Sequence, residues 1–243
     1  PTHLPTVEQS LMSGGRLTLA AVVLSPILAL AVGACSLAQA GDAQKAQSRP
    51  NYRRMAPIDL TGYWVSVIDT DWRWRMVTPP KGDFAWVPIT IAAQKVLDGW
   101  DPARDAAAGQ QCRAYGAAGL MRIPTRLHIT WQGDNTLRVD TDAGLQTRLL
   151  RFAALTAPPL GQVPTWQGYS VASWEVASGP PSADNDVPKF GSLHVVTTHM
   201  RMGYLRRNGV PYSANAVLTE DWDLMKEPGA DWVVILTTVT DPI

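Results

Sequence analysis

The chain has 243 residues, enough for one large domain, and its 21 Lys and Arg balance 21 Asp and Glu, so it carries no general attraction for nucleic acid or an anionic membrane surface. Charged residues are 17% and hydrophobic residues 46% of the total, which excludes global disorder and supplies a core. Trp numbers 10 against Phe 3, and every Trp follows residue 60, so the later part of the chain has large amphipathic rings to bury or to offer a ligand.

Residues 17–34 are apolar and uncharged, follow Arg16, and lead to Ala38-Gln39-Ala40. A basic start, an apolar core broken by Pro26 and an A-x-A ending form the pattern of a cleaved secretory signal, so the mature protein is expected to be periplasmic or secreted. Cleavage after Ala40 would release a protein starting at Gly41. The alternative is lipidation of Cys35 in Val32-Gly33-Ala34-Cys35, similar to a lipobox without the usual first Leu, which would give an outer-membrane lipoprotein. The membrane is otherwise expected as a partner only through the signal. Met12 suits the start of such a signal, leaving residues 1–11 as upstream translated sequence or a start-site error. Residues 41–57 are polar, contain Arg53 and Arg54 and show no apolar period, and so read as a linker to a single domain over 58–243.

That domain is predicted to be all-β and mainly antiparallel, a barrel or sandwich of roughly 8–10 strands. In residues 60–68, Tyr63, Val65 and Val67 fall on one face and Trp64, Ser66 and Ile68 on the other. Residues 72–77 alternate as a strand, with Trp72, Trp74 and Met76 opposite Arg73 and Arg75. A short helical insertion follows: Thr90 caps a stripe of Ala93, Val96, Leu97 and Trp100, and Asp101-Pro102 opens a second helix that Gly109 ends. Strands resume over 126–131, 136–141 and 145–152, joined by Gly133-Asp134-Asn135 and Asp142-Ala143-Gly144 as a meander. Further strands are expected over 167–176, 192–200, 216–224 and 232–240, with an exposed polar excursion at 179–189.

No G-x-S-x-G, H-E-x-x-H, P-loop or paired C-x-x-C is present, and no cofactor or metal is expected. Cys35 and Cys112 make no disulfide framework. Cys112 reads as a small core residue, since no nearby His supports it as a nucleophile. His194 and His199, five apart on one strand, point to opposite faces, so a metal would need His199, His128 and a carboxylate brought together by the fold. The densest polar and aromatic cluster is 199–213, with His199, Arg201, Tyr204, Arg206, Arg207, Asn208 and Tyr212 around an Asn208-Gly209 turn, chemistry suited to an anionic group on a ligand or to a solvated hairpin. Strand parity sets Glu220 with Leu218 and Trp222, which makes it the inward carboxylate, with Arg126 or Arg148 as partner, while Glu175 shares a face with Ser173.

Three segments, Asp59-Leu60-Thr61-Gly62-Tyr63-Trp64, Trp166-Gln167-Gly168-Tyr169-Ser170 through Trp174-Glu175, and Arg206-Arg207-Asn208-Gly209-Val210-Pro211-Tyr212-Ser213 with Thr219-Glu220, together resemble a family of exported bacterial proteins mostly described as hypothetical. The resemblance implies export, a β-rich domain and continuation beyond Asp241-Pro242, but no activity. Gly62-Tyr63-Trp64 also resembles the G-x-W opening of lipocalins, which implies that Trp64 packs the closed end of a barrel; the helical insertion at 90–109 departs from that pattern.

The leading expectation is an exported barrel-like protein that binds a small, partly apolar molecule, with Trp72, Trp74, Trp174, Tyr204 and Tyr212 as ring contacts and Arg126, Arg148, His128, Arg206 and Glu220 orienting it. The alternatives are an enzyme, a hydrolase or isomerase using His199 and Glu220 as acid and base, and an interaction subunit of the cell envelope presenting a Trp patch.

Overall fold

The computed structural model describes residues 50–152, 158–176 and 190–242. The signal-like segment, Cys35 and the excursion at 179–189 lie outside the described residues. Residues 50–57, expected as linker, are docked on the domain. Asn51 caps one helical turn, α1 (Tyr52–Met55). The Tyr52 ring stacks on Phe152 at 5.4 Å, and its carbonyl accepts the Trp174 indole N–H at 3.0 Å. A single aromatic anchor thus outweighs the polar composition of the segment.

Strand β1 (Gly62–Val65) turns Trp64 inward and leaves Tyr63 and Val65 exposed. The next segment departs from expectation. Residues 72–75 form a helical turn, α2 (Trp72–Arg75), entered through Asp71 at φ 54. A helix rotates about 100° per residue, so the i, i+2 pair Trp72 and Trp74 is split: Trp72 is 66% exposed, while Trp74 is half-buried and donates its indole N–H to Asp83 Oδ2 at 3.1 Å. The tertiary partner of Trp74 overrides the local alternation. Helices α3 (Ile91–Asp98) and α4 (Pro102–Ala107) start where their caps predict: Thr90 Oγ1 accepts from the Ala93 N–H, and Asp101 Oδ1 from those of Ala103 and Arg104. Gly109, at φ 66, follows α4 in the left-handed conformation. A 3-10 turn over Gln111–Tyr115 leads to α5 (Ala117–Leu120), all four residues of which are buried.

The remaining strands are β2 (Arg126–Trp131), β3 (Thr136–Thr141), β4 (Thr147–Phe152), β5 (Tyr169–Val176), β6 (Gly191–Thr198), β7 (Gly203–Tyr204), β8 (Pro211–Tyr212), β9 (Val217–Glu227) and β10 (Ala230–Thr240). Seven of them join β1 in one curled, half-barrel sheet in the order β1-β2-β3-β4-β5-β6-β9-β10, and β7-β8 form a separate hairpin. Every neighbouring pair in the large sheet is antiparallel except β4 and β5, where Leu150 stands opposite Ser170 in parallel register. That one parallel step reverses the alternation, so the edge strands β1 and β10 run in the same direction. They could close on each other only through a parallel ladder, the less stable kind per residue.

Inside the curl lie two apolar clusters. The larger contains Leu127, Ile129, Leu150, Phe152, Trp174, Leu193 and Trp222; the smaller joins Ala117, Ala118, Met200, Tyr212 and Leu218. Between Trp222 and Leu218 on β9 sits Glu220, so a polar layer separates the clusters. Gly209, at φ 92, makes the turn of the β7-β8 hairpin, and a Cβ there would stand 2.4 Å from the Trp100 ring, which packs against it. No helix among the described residues is long and apolar enough to cross a membrane.

Candidate functional site

The polar layer centres on one ion pair. Arg148 on β4 and Glu220 on β9 are each fully buried and form a bidentate pair, Nη1 to Oε1 at 2.9 Å and Nη2 to Oε2 at 2.5 Å. Arg148 Nη2 also approaches Thr197 Oγ1 at 3.4 Å, and Thr197 shares a 2.8 Å hydrogen bond with Ser170. Antiparallel alternation aims Glu220 inward, and the curl carries Arg148 to it across the two intervening strands, β5 and β6. The carboxylate and the two terminal guanidinium nitrogens complete each other, and only the buried Arg148 Nε is without a partner among the described residues.

The expected acid-base pair does not form. His199 is exposed, with φ 55 and its Nδ1 at 3.0 Å from Thr198 Oγ1. Glu220 stands opposite Val195, four residues back along β6, which is on the order of 13 Å away at ~3.3 Å per residue. The two therefore share no cleft. His194 points outward and meets Asp221 at 2.6 Å.

The proposed ligand residues divide among several places. His128 lies on the outer face, stacked on Tyr63 at 4.1 Å, and Arg126 is exposed against Asp142 at 2.6 Å. Trp174 belongs to the core, within 4.9 Å of the Phe152 ring. Tyr204 donates to Asp105 Oδ2 at 2.6 Å under Arg113, and burial followed by that hydrogen bond pushes its phenol up to about 12. Tyr212 is buried with its hydroxyl unpartnered among the described residues, and burial pushes its phenol well above the usual range, holding it neutral. Trp74 and Arg206 do meet: the Arg206 guanidinium lies 5.1 Å from the Trp74 ring and donates to the Ala85 carbonyl at 2.7 Å. Trp72 stands apart in solvent. Cys112 is half-buried, 3.9 Å from the Gln146 amide.

A different set of residues forms a concavity. Edges β1 and β10 flank an open groove of about 1040 Å³. Its depth is apolar, with Trp64, Met121, Leu127, Ile129, Leu224, Val233 and Ile235, all packed on or part of the larger cluster. Asp59, Lys226 and Asp231 stand at one end; Asp69, Thr70 and Arg75 stand at the other, beyond β1. The alternation of β10 was visible in the sequence, with Val233 and Ile235 opposite Trp232 and Val234. What it could not reveal is that among the described residues β10 has a neighbour on one side only, because pairing is a property of the whole sheet. No family model matches this chain, and no curated protein or solved structure matches it either.

Proposed function

We propose that this protein is an exported binding protein that holds a small, largely apolar molecule in the groove between β1 and β10. The observation that carries the reading is the groove itself: about 1040 Å³, at the upper end of the range of small-molecule sites, floored by Trp64, Leu224, Val233 and Ile235. Apolar surface of this kind, held open between two strand edges, gains free energy when a ligand removes it from water. Export rests on the signal-like segment at 17–40, and a lipocalin-like manner of binding rests on Gly62-Tyr63-Trp64 together with the curled sheet. The acid-base alternative loses ground because His199 and Glu220 stand apart.

The test is titration of the protein with N-phenylnaphthylamine, a neutral dye that brightens in apolar surroundings. Saturable binding is expected. Val233→Glu places a carboxylate in the groove wall and should weaken it by about tenfold or more, since burying a charge against an apolar ligand costs well over 1.4 kcal/mol. Thr238→Glu, on the outward face of the same strand, should leave it unchanged. If Val233→Glu melts far below the wild type, Val233→Trp fills the same space without charge. Failure of the wild type to bind, or equal binding by the wall and outward variants, overturns the reading.

A further inference from the structure

We infer that the groove takes a single-chain amphiphile with an anionic head, its tail along β1 and β10 and its head on Arg75. This rests on the groove reading above and specifies its ligand. The groove changes chemistry along its length. From Ala230 to Leu236 it follows β10 for about 20 Å at ~3.3 Å per residue, and it ends at Arg75, beside Met121 and Thr70.

Arg75 is one of a group of guanidiniums that the fold holds close together. Its Nε donates to the Arg122 carbonyl at 2.9 Å, and its own carbonyl accepts from Arg207 Nη2 at 3.2 Å. Its two terminal nitrogens make no hydrogen bond among the described residues, and the residue lines the groove end. Arg206, which shares Arg122 and Asp71 with it as charged neighbours, is 94% buried, yet its Nε and Nη1 have no acceptor among the described residues. Arg73 lies over the Trp74 ring at 5.4 Å. Against Arg73, Arg75, Arg122, Arg206 and Arg207 stand three carboxylates. Asp71 is held by Arg122 at 2.9 Å, and Asp83 is engaged by the Trp74 indole and by Arg73 at 3.5 Å. Asp69 alone faces the groove end with Arg75. The cluster is therefore positive on balance. Burial first and the Arg122 charge second depress both Arg75 and Arg206, opposed in part by Asp71 with Asp69 or Asp83. An arriving anion relieves that repulsion and supplies the acceptor that the guanidinium forks lack.

The experiment compares dodecanoate, dodecyl phosphate and dodecanol by calorimetric titration at pH 8, at low and at high salt. The tail is common to all three, so the head alone differs. At least one anion should bind about tenfold or more tighter than dodecanol, as one or two charge-assisted hydrogen bonds allow, and salt should shrink the gap. Whichever anion binds tighter identifies the head as carboxylate or phosphate. Arg75→Met should abolish the preference and leave dodecanol binding in place. Equal binding of all three by the wild type overturns this inference while the groove reading stands. Binding of none overturns the groove reading itself. An anion preference that survives in folded Arg75→Met protein also overturns the assignment; if that variant does not fold, the wild-type salt dependence decides.

Discussion

Removing one member of the Arg148–Glu220 pair should be far more damaging than removing both. Each side chain is fully buried, and each accounts for the other's charge. Glu220→Leu leaves a guanidinium sealed between two apolar clusters, with only Thr197 Oγ1 at 3.4 Å to receive it. An unpaired buried charge of this kind costs about 3–5 kcal/mol. At about 2–4 °C per kcal/mol for a domain of this size, the melting temperature should fall by roughly 6–20 °C. Arg148→Met should cost a similar amount. The double variant Arg148→Met/Glu220→Leu removes both desolvation penalties and keeps the apolar volume. It should therefore recover to within about 1 kcal/mol of the wild type or exceed it. Urea unfolding of the four proteins at pH 7 yields the coupling energy directly. A single-variant loss below about 1 kcal/mol would refute the reasoning, because it would mean that water reaches the pair. A double variant as unstable as either single one would refute it too, since it would mean that Ser170 and Thr197 require the charges.

Three further outcomes follow from the geometry. Tyr212→Phe removes a buried hydroxyl with no partner among the described residues, so it should leave stability unchanged or raise it slightly in thermal melts. A Cβ on Gly116 would lie 2.1 Å from that hydroxyl, so Gly116→Ala should be strongly destabilising alone and milder in the Tyr212→Phe background. Equal costs in both backgrounds would place the clash at the Trp166 carbonyl, 3.1 Å away, instead. The Asp142 carboxyl is held well below its usual range by the Arg126 backbone N–H, then the Arg126 side chain and Thr125. A depressed carboxylate contributes stability above its unfolded value of about 3.9 and loses it as pH falls through the folded value. Asp142→Asn should therefore cost stability at pH 7, and the difference from wild type should shrink progressively below about pH 4. A difference that stays constant with pH would remove the electrostatic account.

Much of this molecule follows from local rules. Thr90 and Asp101 cap helices because their oxygens satisfy free N–H groups within three residues, and period-two alternation turns Glu220 inward with Leu218 and Trp222. The turns at 132–135 and 142–146 join β2, β3 and β4 for the same reason: hairpin chemistry is short-range. Residues 72–75 show the limit of such rules. Trp-Arg-Trp-Arg satisfies the strand pattern, yet the segment closes into a helical turn because Trp74 finds Asp83 and Arg206.

The larger features depend on contacts between distant parts of the chain. Two of them, the choice of Arg148 over Arg126 as partner for Glu220 and the docking of Tyr52 on Phe152, need the curl of the sheet. The parallel pairing of β4 with β5 is set by how a long connection returns, which no periodicity records, and it alone makes β1 and β10 codirectional edges. The groove lies between these two edges, and Arg75 reaches its end from the helical turn that follows β1. Alternation told the sequence reader which side chains face in and which face out; only the tertiary structure decided which strands would be left without a neighbour, since pairing is a property of the whole sheet and not of any strand.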